Sequence, residues 1–175
     1  SAEKVGPESD PLDEVTTENR QVETEVSSSP PIELDETLKE IFESESSGHL
    51  QTLDEYLAKC NPKIGCIVTT QVTRALHTLH GSSDMAGVSP IARVTKANEN
   101  YFDTLLEHKR IANEEDIELL KTTVDITRAV LGVINVPGAV IPEWEQHVEK
   151  LNAKHAVLAA EVAQNTEEDQ DSSGV

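Results

Sequence analysis

Between residues 34 and 163 the apolar side chains recur every three or four positions, and no stretch alternates for long enough to make a strand. That spacing gathers them on one stripe of a helix, leaving a polar face opposite. A helix with one apolar stripe must bury it against another element, so a chain patterned in this way is all-α and built by helix-on-helix packing. Aromatic residues make up only 3% of the chain. The core is therefore expected to consist of Leu, Ile, Val and Ala.

Five such segments follow one another. The first spans roughly 34–59, with Leu38, Ile41, Phe42, Leu50, Leu53, Tyr56 and Leu57 on one side. Its polar middle, "SESSGH" at 44–49, is expected to kink or break it. The second runs from about Ile67 to Ala86, with Gly87 placed as a C-terminal cap. In the third, Ser89 is the expected cap and Pro90 suits the first helical position; Asn98 interrupts the apolar pattern of Ile91, Val94, Tyr101, Phe102 and Leu105. The fourth starts after Asn113, another capping residue, and the fifth near Pro142. Short connections favour antiparallel neighbours, which predicts an up-and-down antiparallel four-helix bundle with an additional C-terminal helix. Residues 1–31 and 164–175 are acidic and poor in large apolar groups, so they are expected to be disordered segments flanking one folded unit at 32–163.

Charge narrows the partners. Lys and Arg number 14 and Asp and Glu 33, a net charge of −19. Such an excess repels phosphate backbones and anionic lipid, so neither nucleic acid nor the membrane surface is expected as a partner. The longest apolar run, "AVLGVINVPGAVI" at 129–141, is too short to span a bilayer and is broken by Pro137, so no membrane insertion is expected. The N-terminus is acidic and unlike a signal peptide, and the expected location is cytoplasmic. Cys60 and Cys66 match no zinc spacing and are expected to be reduced thiols, a disulfide being the alternative.

One strip does not follow from packing. His77, His80, Gly81 and Asp84 lie three and four residues apart and share a face of the second helix, whereas Val72, Ala75, Leu76 and Leu79 lie mostly on the other side. A glycine inside a helix costs about 1 kcal/mol relative to alanine. Three readings fit. The histidines are ordinary surface residues; or they chelate a metal, which needs a third ligand and leaves the glycine unexplained; or one is a nucleophile for phosphoryl transfer. A neutral imidazole is nucleophilic when one ring nitrogen holds the proton and the other is free. A glycine one turn away then lets a partner protein approach.

The segment "HTLHGSSDMAGV" resembles the H-x-x-K-G-[SG] signature of histidine phosphotransfer domains, especially those of CheA-type chemosensory kinases. "KANENYFDTLLE" resembles their third helix, in which a glutamate followed by asparagine stands 22 residues after the phosphorylated histidine; here those positions are Glu99 and Asn100. "RALHTLHGS" looks closest to modules of the large hybrid kinases that control type IV pilus twitching motility. The resemblance implies that His77 accepts a phosphoryl group from a separate ATP-binding kinase domain and passes it to an Asp of a response-regulator receiver. It further implies that Glu99 orients His77, and that His80, Gly81 and Ser82 form the phosphate and partner face. The family usually carries Lys where this chain has His80. On this reading the fragment is a monomeric phosphoryl carrier, not an enzyme, with no metal or cofactor of its own; ATP and Mg²⁺ belong to partner domains. An alternative is a degenerate helical adaptor that binds partners without phosphotransfer.

Overall fold

The computed structural model describes residues 30–171, and the expectations for residues 1–29 and 172–175 lie outside them. Five helices dominate: α1 (Glu36–Lys59), α2 (Thr70–Ala86), α3 (Ser89–Glu107), α4 (Glu114–Leu131) and α5 (Glu145–Asp171). Helix α1 packs on α2 and α4, and α3 packs on α2 and α4, so four helices close a ring. The fifth lies against α3 and α4. The all-α bundle with an added C-terminal helix is therefore present.

Local chemistry sets the helix ends. Asp35 caps α1 by accepting from the backbone N–H of Thr37 and Leu38. Asn113 and Asp116 form a reciprocal capping box at the start of α4. Gly87 ends α2 in the left-handed region at φ 74°, where a side chain would be strained.

Several boundaries differ from expectation. Helix α1 runs through "SESSGH" unbroken, with Ser46 facing the core and fully buried. The weak helix formers there cost only tenths of a kcal/mol each, and burial of Phe42, Leu50, Leu53 and Tyr56 on one stripe outweighs them. Helix α2 begins at Thr70 behind a Thr69 cap, not at Ile67. Ile67 instead belongs to a two-residue strand β1 (Cys66–Ile67) paired antiparallel with β2 (Ile111–Ala112). Two residues are too few to show alternation in a sequence. Gly65, at φ 90°, lets the chain pass this pairing: a Cβ there would lie 2.8 Å from the Ala112 carbonyl oxygen. Ser89 is the first residue of α3 rather than its cap; Val88 holds that position without a side-chain bond. Cys60 and Cys66 form a disulfide, correcting the expectation of free thiols. Helix α5 continues to Asp171, beyond the 163 boundary expected for the folded unit.

Helix α3 is the central element, buried by α2, α4 and α5, and its polar residues pair inside the core. Asn98 Oδ1 accepts from Thr123 Oγ1 at 2.7 Å, and that hydroxyl lies 2.8 Å from His147 Nε2 on α5. Tyr101 donates to Asp116 Oδ1 at 2.6 Å. Asn98, Thr123 and His147 thus form a chain across three helices, and Asn98 does not interrupt α3. Among the described residues, no helix is long and apolar enough to cross a membrane.

Candidate functional site

Helix α2 turns Val72, Ala75, Leu76 and Leu79 into the core, all at most 3% exposed. Given a 3.6-residue repeat, His77 must then face away from it. Its side chain is 72% exposed. On the neighbouring helix α3, Glu99 sits one residue past the buried Asn98 and is itself buried, its side chain only 6% exposed. The α2–α3 packing brings them together: His77 Nδ1 lies 2.7 Å from Glu99 Oε1. An ionised carboxylate only accepts hydrogen bonds, so Nδ1 carries the proton and Nε2 presents its lone pair.

Glu99 is a hub. Its second oxygen, Oε2, lies 3.4 Å from Lys96 Nζ and 3.5 Å from His80 Nδ1. The His80 contact has ion-pair distance but makes no hydrogen bond, and its Nδ1 is buried without a hydrogen-bond partner among the described residues. The two imidazole rings meet edge to face, 6.4 Å between centroids. Asp103, one turn further along α3, is raised from its ordinary value, first by desolvation and then by the charge of Glu99; Lys96, His77 and a hydrogen bond from Thr73 oppose the shift.

Gly81 lies one turn beyond His77, and a Cβ built on it meets nothing within 4 Å. No contact inside the chain requires a glycine there. Ser82 donates to the Thr78 carbonyl at 2.8 Å, so its hydroxyl proton is directed to its own helix. Both residues line a groove of about 570 Å³ between α1 and α2, alongside His77 and the apolar Leu38, Ile41 and Met85. Met85 is 92% exposed and Ile41 59%.

Of the residues expected at the site, the structure thus brings His77, His80 and Glu99 into one cluster and places Gly81 and Ser82 on the adjoining groove. Sequence reasoning missed Lys96. Its position three residues before Glu99, hence on the same helix face, was the available signal. What the cluster can do follows from its parts: an exposed imidazole with one nitrogen held by a buried carboxylate is an oriented nucleophile, with the Lys96 ammonium close by to receive an anion.

No curated protein matches the chain. A family model described as the Hpt domain matches residues 37–130, more than half of the 175 residues and nearly all of the α1–α4 ring. On that match, the chain belongs to the histidine phosphotransfer (Hpt) domain family, whose members are phosphoryl carriers in phosphorelay signalling rather than enzymes.

Proposed function

We propose that His77 is the phosphoacceptor of this domain, receiving the phosphoryl group from the ATP-binding domain of a histidine kinase and passing it to an aspartate of a response-regulator receiver. The observation that carries the reading is the 2.7 Å pairing of an exposed His77 with a buried Glu99.

The chemistry follows from that pairing. Nε2 attacks the γ-phosphorus of ATP; an N–P bond forms, the bond to the bridging oxygen breaks, and ADP leaves with that electron pair. The ring becomes cationic, and the proton on Nδ1 is held by Glu99 Oε1, which stabilises the developing charge. In the return step a receiver aspartate oxygen attacks phosphorus, the N–P bond breaks, and Nε2 recovers its lone pair. His80 and Lys96 are placed to lessen the charge of the phosphoryl oxygens. The apolar groove beside Gly81 suits the docking of a receiver helix. Mg²⁺ belongs to the partner domains in this scheme. The likeness of residues 74–88 to chemosensory modules supports a CheA-type parent kinase of the twitching-motility class, working in the cytoplasm where ATP is supplied.

The test is labelling by candidate kinase cores with γ-labelled ATP. Wild type is expected to acquire acid-labile, base-stable label. His77→Gln is expected to acquire none without unfolding the bundle, as circular dichroism would show, since the side chain is exposed. Undiminished labelling of the variant refutes the assignment.

A further inference from the structure

Phosphoryl transfer leaves one atom of the site unexplained. His80 Nδ1 is buried, has no hydrogen-bond partner among the described residues, and points within 3.5 Å of Glu99 Oε2. Leaving a polar atom buried and unpaired is unfavourable, and such an atom marks a place where something else can bind. Around it stand the other halves of a donor set: His77, His80 and Glu99 each offer one ligand atom, and all three atoms lie within 4.8 Å of one another.

We propose that His77, His80 and Glu99 form a binding site for a transition-metal dication, zinc being the ion the donors favour, and that its occupancy blocks phosphorylation of His77. The site itself stands on geometry alone; only its consequence rests on the carrier reading of His77.

Two imidazoles and a carboxylate are a donor set that zinc accepts at about 2.0–2.2 Å in a tetrahedron, with the fourth position left to water. In such a tetrahedron the donors stand about 3.3 Å apart. The present separations must therefore close by up to about 1.5 Å, which rotation of the exposed His77 ring and the partly exposed His80 ring can supply. Lys96, the cation now beside Oε2, is 45% exposed on a flexible stem and can turn into solvent. Magnesium does not compete, because it demands oxygen donors in octahedral geometry and dehydrates reluctantly. The Mg²⁺ that accompanies ATP therefore leaves the site free.

Blocking follows from the tautomer. Without metal, Nδ1 of His77 holds the proton against Glu99 and Nε2 is the free nucleophile. Coordination through Nδ1 requires that nitrogen's lone pair, so the single ring proton moves to Nε2. The ring stays neutral and no proton is lost. The outward nitrogen is now an N–H with no lone pair to attack phosphorus. Coordination through Nε2 occupies the nucleophile directly. Either way the ring cannot be phosphorylated. A lysine at position 80 has no comparable donor near neutral pH, so the site depends on the histidine this chain carries there.

The experiment has two arms. In the first, the full 175-residue chain, freed of metal, is titrated with Zn²⁺ against a chromophoric chelator, and with Co²⁺ while its visible absorption is followed. One tight equivalent with a tetrahedral cobalt band is expected. His80→Lys and Glu99→Gln, each checked for folding by circular dichroism, are expected to weaken binding at least tenfold and to abolish the band. His108→Ala, at the far end of α3, is expected to bind as wild type does. Equal affinity in wild type and His80→Lys, or the absence of a tight equivalent, overturns the site. In the second arm, kinase labelling is measured with and without one equivalent of Zn²⁺. At least tenfold suppression, reversed by EDTA and absent in His80→Lys, is expected. Equal suppression in both proteins places the effect on the kinase and overturns the blocking. If no protein is labelled even without zinc, the carrier reading fails while the first arm still decides the metal site.

Discussion

Gly81→Ala separates what the domain needs for folding from what it needs for its partners. Gly81 lies inside α2, and its added Cβ meets no atom within 4 Å. Alanine there loses less backbone entropy on folding and clashes with nothing, which stabilises the helix by about 0.5–1 kcal/mol. For a folded unit of this size that raises the melting temperature by roughly 2–5 °C. The same methyl group projects into the groove beside His77, where the proposed role has a receiver's active site enter. Overpacking a close-fitting contact by one methyl costs about 1–3 kcal/mol, or roughly 5- to 150-fold in transfer rate. The assay pairs a thermal melt with single-turnover transfer from the phosphorylated domain to a receiver. A more stable protein that transfers more slowly is the expected result. A less stable protein would mean the glycine serves the fold, and transfer at the wild-type rate would mean that no partner approaches over it.

Three further outcomes are expected. Glu99→Ala removes a charge-assisted hydrogen bond worth about 1.5–3 kcal/mol and frees the tautomer of His77, so labelling slows roughly ten- to a hundredfold in a protein that circular dichroism finds folded; an unchanged rate removes Glu99 from the mechanism. His147, held down to about 4 from 6.5 chiefly by burial, is neutral in the fold, while the unfolded chain takes up a proton below its ordinary range. Its contribution is therefore fully present above pH 6.5 and is lost as pH falls towards 4, at most about 3 kcal/mol; denaturant melts across that window should lose this slope in His147→Gln. Replacing both Cys60 and Cys66 by Ser opens a short loop and should cost about 2 kcal/mol in chemical denaturation, while labelling of His77, held by α2–α3 packing, persists.

Much of this molecule was written in local pattern. The apolar spacing determined five helices and their buried stripes, because the 3.6-residue repeat leaves few other ways to hide Leu53, Leu76, Leu79 and Phe102 from water. Caps at Asn113 and Gly87 were equally legible, since each acts within a few residues of itself. Spacing along α2 likewise put His77, His80 and Gly81 on one face. Tertiary structure decided everything that required two distant segments to meet. The β1–β2 pairing joins residues 66–67 to 111–112 through backbone groups, which carry no side-chain signature. Asn98 looked like a flaw in an apolar stripe until α4 and α5 supplied Thr123 and His147. The polar middle of α1 stays helical because its neighbours bury the stripe on either side. Only the packing of α2 on α3 sets Glu99 between two histidines with Lys96 at its edge. A one-dimensional pattern specifies which face a residue occupies; what stands opposite that face is fixed by how the helices pack.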